Sequence, residues 1–255
     1  MKSTPEAYVQ STVENGIATV EFFHPASNSL PSAILMQLGD AIEAFNGNTE
    51  AKVIVLRSAG EKAFCAGASF DELVAIEDEA GGLQFFSGFA HVINAIRKSD
   101  KLVIGRVQGK AVGGGVGLAS AVDYCIAKSD AAVKLSELAV GIGPFVVGPA
   151  VERKIGAGPF SQMAIDATEW RSAQWAYERG LYAELHDTTE ALDAAVQKLA
   201  SRLAKSSPEA QLELKKIFWQ GTEGWDTLLT ERAGISGKLV LSDFTRNAIA
   251  AFKAK

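Results

Sequence analysis

Two cysteines in 255 residues, Cys65 and Cys125, are too few for a disulfide framework, and nothing around them has metal-ligand spacing. The three histidines, His24, His91 and His186, are too scattered to form a local metal motif, so no metal is expected. No apolar run approaches the length that spans a bilayer. The opening MKSTPEAYVQ has neither the apolar centre of a secretory signal nor the Arg-rich amphipathic look of a transit peptide. Positive charge is in short supply too: 25 Lys and Arg against 30 Asp and Glu give a net charge of −5, which argues against a general nucleic-acid binder. A reducing cytoplasm and no membrane partner are the expectation. The 47% hydrophobic and 22% charged residues are ordinary for a globular chain with a sizeable core.

What is there alternates. GIATVEFF at 16–23 reads as a strand, HPASNSLP at 24–31 as a turn-rich loop, and 33–46 as a helix capped by Ser32 with Ile34, Leu38, Ile42 and Phe45 on one stripe. AKVIVLRS at 51–58 and KLVIGRVQG at 101–109 are near-continuous apolar runs, the pattern of strands buried on both faces. Leu83, Phe86, Phe89, Ile93 and Ile96 fall at helical spacing, a further helix is expected around 115–122, and VDYCIAKS and AAVKLSELA read as short strands. From about 150 helices dominate: 149–156, 158–166, 172–179, 189–205, 208–219 and a last segment at 225–253. The pattern predicts an α/β core over 1–200 and a helical segment over 201–255.

The least ordinary stretch is GKAVGGGVGLASAVD at 109–123, with five glycines. A phosphate loop of the Gly-Lys-Ser/Thr kind is excluded because Gly109-Lys110 precedes the glycines and Ala111 follows. A dinucleotide fingerprint would need glycine where Leu118 or Ser120 stands. A tight strand-to-helix connection remains possible. So does an oxyanion hole, in which backbone N–H groups at a helix start face a developing negative charge. The oxyanion reading requires a second small-residue turn, and Phe64-Cys65-Ala66-Gly67-Ala68-Ser69 supplies one after the strand at 51–58.

FCAGASFDEL and VQGKAVGGGVGLASAVD resemble the two signatures of the crotonase, or enoyl-CoA hydratase/isomerase, superfamily, and the resemblance extends through SELAVGIGP to a terminal NAIAAFKAK. It implies an α/β crotonase-type spiral of ββα units with a helical C-terminal segment that promotes a homotrimer or a dimer of trimers. It also implies an acyl-CoA substrate whose coenzyme A needs no separate cofactor. By motif position the thioester carbonyl would accept from the N–H groups of Ala68 and Gly114. Coenzyme A would run past Lys62, Ala63 and Ala66, with Phe252 and Lys255 closing over it. Hydratases of this family use two glutamates. Glu137 in LSELAVGIGP matches one, with Ser136 in place of the usual proline; Gly117 stands where the other would be.

One carboxylate is the complement of the family's Δ3-Δ2 enoyl-CoA isomerases, and HPASNSLP and GIGPF are similar to their corresponding segments. The expected activity is a C2-to-C4 proton shift with Glu137 as the single acid/base. The alternatives are a hydratase with a displaced second carboxylate and a non-catalytic acyl-CoA-binding protein. Asp71 and Glu72 are expected on a solvated helix face, Asp123 in a structural role, His91 exposed, and both cysteines inert.

Overall fold

The computed structural model describes residues 6–253. A hairpin of β1 (Tyr8–Glu14) and β2 (Ile17–Phe23) opens the chain; then come β3 (Ser29–Leu30) and α1 (Ser32–Glu43). Next are β4 (Val53–Ser58), β5 (Ala63–Cys65), β6 (Gly67–Ala68), α2 (Phe70–Val74) and α3 (Glu79–Lys98). The glycine-rich region spans β7 (Leu102–Val107), β8 (Lys110–Val112) and α4 (Gly114–Ala121), followed by β9 (Tyr124–Lys128), β10 (Val133–Lys134) and a 3-10 turn at Glu137–Val140. The remainder is α5 (Gly148–Ile155), α6 (Ala157–Ile165), α7 (Ala173–Glu178), β11 (Glu184–His186), α8 (Thr189–Leu203), α9 (Pro208–Phe218), α10 (Trp225–Leu239) and α11 (Asp243–Lys253).

Long and short strands sort into separate sheets. The six-stranded sheet runs β1-β2-β4-β7-β9-β11, parallel except for the β1–β2 hairpin, while β10-β8-β5 and β3-β6 form two small parallel sheets. Each turn of the chain thus contributes a long strand, a short one and a helix, which makes the fold a spiral of ββα units. The apolar runs are continuous because both faces of the long strands are covered. Val53, Val55, Ile104 and Ile126 pack on Leu192, Val196 and Ala200 of α8, whereas Ile54, Leu56 and Val103 face the main core with α1, α3 and α4. Full burial of such a side chain contributes about 2 kcal/mol, so β4 and β7 anchor the loops that follow them.

Several local expectations need correction. Ser32 is the first residue of α1 and not its cap: both its N–H (2.7 Å) and its hydroxyl (3.0 Å) donate to Glu72 Oε2. Glu72 is accordingly half-buried and tied to α1, not solvated. AAVKLSELA is strand only at Val133–Lys134, after which the chain turns into the 3-10 segment. The segment 225–253 breaks into two helices, where the Ser242 hydroxyl accepts from Thr245 N–H at 3.3 Å and starts α11. Two strands not expected from the pattern, β1 and β11, form the edges of the main sheet.

Candidate active site

The first small-residue turn is held from three sides. Asn28, buried and at φ 56°, donates through its carboxamide to Ala59 O (2.9 Å) and Ala63 O (3.0 Å) and accepts from His24 N–H (2.8 Å). Gln108, also buried, donates to Ser58 Oγ, Gly60 O and Ala63 O and is oriented by Arg106, itself paired with Asp193 at 2.6 Å. The Ser29 hydroxyl donates to Ala68 O at 2.8 Å, and Ser69 N–H is bonded to Leu30 O at 3.0 Å. Ala68 is thus fixed with its carbonyl already engaged. Gly67, at φ 95°, must be glycine for the chain to turn here.

The second turn abuts the first. Gly113 passes from β8 straight into α4 at φ 52° and ψ −115°, a conformation that a side chain would strain. Its N–H donates to Lys134 O at 2.8 Å, and its carbonyl accepts from Val116 (2.9 Å) and Gly117 (3.2 Å). Gly114, next in line, is the first helical residue, and its N–H is one of the donors that a helix start leaves without an intrahelical acceptor. Close approach explains the neighbouring glycines. A β-carbon on Gly114 would lie 2.1 Å from Phe89 Cζ, one on Gly115 2.4 Å from Cys65 O, and one on Gly67 3.8 Å from Gly114 N. The two turns therefore touch, and Ala68 and Gly114 line the same cavity.

That cavity, of about 90 Å³, is walled by Leu73, Phe86, Phe89, Val140, Ile142, Phe145 and Val147, with Ser136, Glu137 and Ser236 as its polar side chains. The Gly113–Lys134 bond brings the segment after β10 alongside the glycine turn. As a result a β-carbon on Gly113 would come 3.1 Å from Glu137 Oε1. The residue as a whole is half-buried, but Glu137 Oε2 is cut off from solvent with no hydrogen-bond partner among the described residues. Burial pushes the Glu137 carboxyl up to about 7, with its own backbone N–H acting in the opposite direction. Such a group can hold or accept a proton near neutrality.

Position 117 is closed. A β-carbon on Gly117 would lie 2.5 Å from Val147 Cγ1 and 2.7 Å from Val147 Cβ, so Val147 fills the space that a longer side chain would need. Nothing in the local pattern of the glycine loop points to Val147, Phe145 or Ser236; they reach the cavity only through the fold.

The other expected residues divide. Ala66 lines the cavity, but Lys62 and Ala63 lie in a separate open cleft with His24, Asn28 and Glu61. Phe252 falls in the last turn of α11, and Lys255 lies outside the described residues. Phe86 and Phe89 face the cavity, whereas Phe85 packs with Leu73, Ile142, Val240 and Ile249. Asp123 is structural, accepting from Val103 N–H (2.8 Å), Lys215 Nζ (2.8 Å) and Trp219 Nε1 (2.9 Å). His91 is packed over Gly39 and bonded to Asp40 at 2.9 Å, half-buried and not exposed. Burial pushes the thiols of Cys65 and Cys125 up to about 12, which leaves them inert at neutral pH.

The sequence model of enoyl-CoA hydratase/isomerase matches residues 12–251. The chain belongs to the enoyl-CoA hydratase/isomerase family. Among curated relatives, the carnitinyl-CoA dehydratase of Proteus mirabilis is 28% identical over 208 residues, covering 81% of this chain and 78% of that protein. The carnitinyl-CoA dehydratase of Salmonella enteritidis is 30% identical over 202 residues, covering 79% and 76%. Among solved structures, an enoyl-CoA hydratase from Bacillus halodurans superposes with a TM-score of 0.88 at 21% identity, covering 96% of this chain and 99% of that one. An enoyl-CoA hydratase from Mycobacterium avium subsp. paratuberculosis gives 0.84 at 26%, covering 98% and 97%. These likenesses show the crotonase fold and the enoyl-CoA hydratase/isomerase family, and they do not separate hydration from isomerisation.

Proposed function

We propose that this protein is an enoyl-CoA isomerase that moves a proton from C2 to C4 of a 3-enoyl thioester. The observation that carries the proposal is a lone buried carboxylate beside the paired small-residue turns, with the second carboxylate position occupied by the Gly117–Val147 contact. In this scheme the thioester oxygen accepts from the N–H groups of Ala68 and Gly114. Glu137, as the carboxylate, takes a proton from C2, and the electron pair spreads over the dienolate O–C1–C2–C3–C4. The same Glu137, now protonated, returns the proton to C4 and leaves a 2-enoyl thioester, so atoms and charge balance without water. Each oxyanion donor is worth about 3 kcal/mol in the transition state. The apolar walls suit an acyl chain, and the cleft at Lys62 and Ala63 suits the coenzyme portion of the substrate. Exposed Leu214, Ile217 and Phe218 on α9 are the face proposed for trimer assembly by the C-terminal segment.

Hydration is the second reading, favoured by the dehydratase names of the relatives; it would require water activated by a carboxylate other than one at position 117. Glu137→Gln tests the assignment. It should abolish C2 proton exchange, and exchange retained at the wild-type rate removes Glu137 from its role. Hydration of 2-enoyl-CoA and isomerisation of 3-enoyl-CoA, assayed side by side, decide between the two reactions. Faster hydration than isomerisation overturns the proposal.

A further inference from the structure

Ser236 is 1% exposed, and its backbone carbonyl accepts from Val240 N–H at 3.0 Å. Earlier in the same helix Thr230 satisfies its hydroxyl on the Asp226 carbonyl at 2.8 Å, the ordinary solution for a helical hydroxyl. Ser236 lines the cavity instead. Its position is not adjustable. The following residue, Gly237, is pressed against α3 so closely that a β-carbon on Gly82 would come 2.6 Å from Gly237 Cα. A hydroxyl-bearing residue is thus held rigidly at the wall of an otherwise apolar space.

Its place along the cavity follows from α3. Phe89 touches Gly114 at the thioester end, and Gly82 touches Gly237 beside Ser236. At the rise of an α-helix, the seven-residue step from Gly82 to Phe89 separates these contacts by roughly 10 Å. Ser236 is therefore well beyond the carbons that Glu137 serves. Among the described residues no Lys or Arg lines the cavity, and Glu137 is its only carboxylate. A charged group at the Ser236 end would be desolvated without a counter-charge.

We infer that Ser236 is a specificity-determining residue that hydrogen-bonds a neutral oxygen, a hydroxyl or keto group, on the distal part of the acyl chain. The favoured substrates are thus oxygenated acyl-CoAs and not plain hydrocarbon ones. The inference rests on the acyl-CoA reading above but not on which reaction follows binding.

The test is calorimetric binding of saturated acyl-CoAs of a series of chain lengths, each paired with its terminally hydroxylated counterpart, to the wild type and to Ser236→Ala. At the matching length the hydroxylated ligand should bind wild type more tightly than its plain partner. Ser236→Ala should lose about tenfold for that ligand alone, the scale of one hydrogen bond. Serine to alanine inside a helix should leave the melting temperature no lower. Equal affinity within every pair, or an equal loss for both members in Ser236→Ala, overturns the role of Ser236 while leaving the acyl-CoA reading intact. Failure of every acyl-CoA to bind the wild type overturns both.

Discussion

Alanine at position 117 adds one methyl group to a crowded part of α4, and its effect should change sign with the residue at 147. Two contributions oppose each other. Replacing glycine by alanine inside a helix stabilises by about 1 kcal/mol. Forcing a carbon into a filled core costs about 1–3 kcal/mol. The new carbon would sit 2.5 Å from Val147 Cγ1 and 2.7 Å from Val147 Cβ. A rotamer change moves the first of these atoms but not the second. Val147 is 4% exposed and stands at the start of α5, so neither side chain has room to retreat. The single variant Gly117→Ala should therefore be less stable than wild type by up to about 2 kcal/mol, a fall of about 2–4 °C in melting temperature for each kcal/mol.

With Val147→Gly both offending atoms are gone, and the nearest remaining one at this residue is Val147 Cα at 3.6 Å, an ordinary contact. In that background Gly117→Ala should raise stability by about 1 kcal/mol, because the helix gain is no longer opposed. The coupling between the two substitutions should be about 1–3 kcal/mol, well above what independent sites show. Thermal and urea unfolding of the four proteins complete the cycle. A rise in stability on Gly117→Ala beside Val147, or the same shift in both backgrounds, refutes the claim that the position is closed. That claim bears on chemistry, because a glutamate at 117 must displace Val147 before its carboxylate can reach the cavity.

Two further outcomes are expected. The Glu137 carboxyl, raised to about 7 from an ordinary 4.5, keeps a proton in the native state that the unfolded chain gives up, so stability should fall as pH rises from 4.5 to 7. Urea unfolding of wild type should show that fall relative to Glu137→Gln; parallel pH profiles would refute it, and kcat/KM for isomerisation should rise over the upper part of the same range as the base form appears. Asp123→Ala should cost about 3–5 kcal/mol by stranding the Lys215 ammonium, whose side chain is 3% exposed, without an anion; adding Lys215→Met should recover part of the loss, and unchanged unfolding of the single variant would contradict the pairing.

Strands 53–58 and 102–107 were legible because burial on both faces leaves an unbroken apolar run, a signal that needs no knowledge of partners. The turns at 64–69 and 113–117 were legible because positive φ at Gly67 and Gly113, and contacts under 3 Å for a β-carbon at Gly114, Gly115 and Gly117, admit little but glycine. The edge strand β1 was missed because most of its side chains are solvated and so carry little apolar alternation. The local clue was Asn15-Gly16, at φ 53° and 81°, the pair that a tight hairpin favours. Glu72 was misplaced for a different reason: its helix is only five residues long, and only the approach of α1 gives its carboxylate two donors. The cavity is harder still, since 66–89, 112–114, 136–147 and 236 meet there and periodicity says which face of an element is buried but not what it is buried against. Gly117 joins both cases. The sequence alone can say that a carboxylate is missing. That the missing group left no space behind depends on Val147, whose β-carbon and methyl group stand where the glutamate side chain would have to begin.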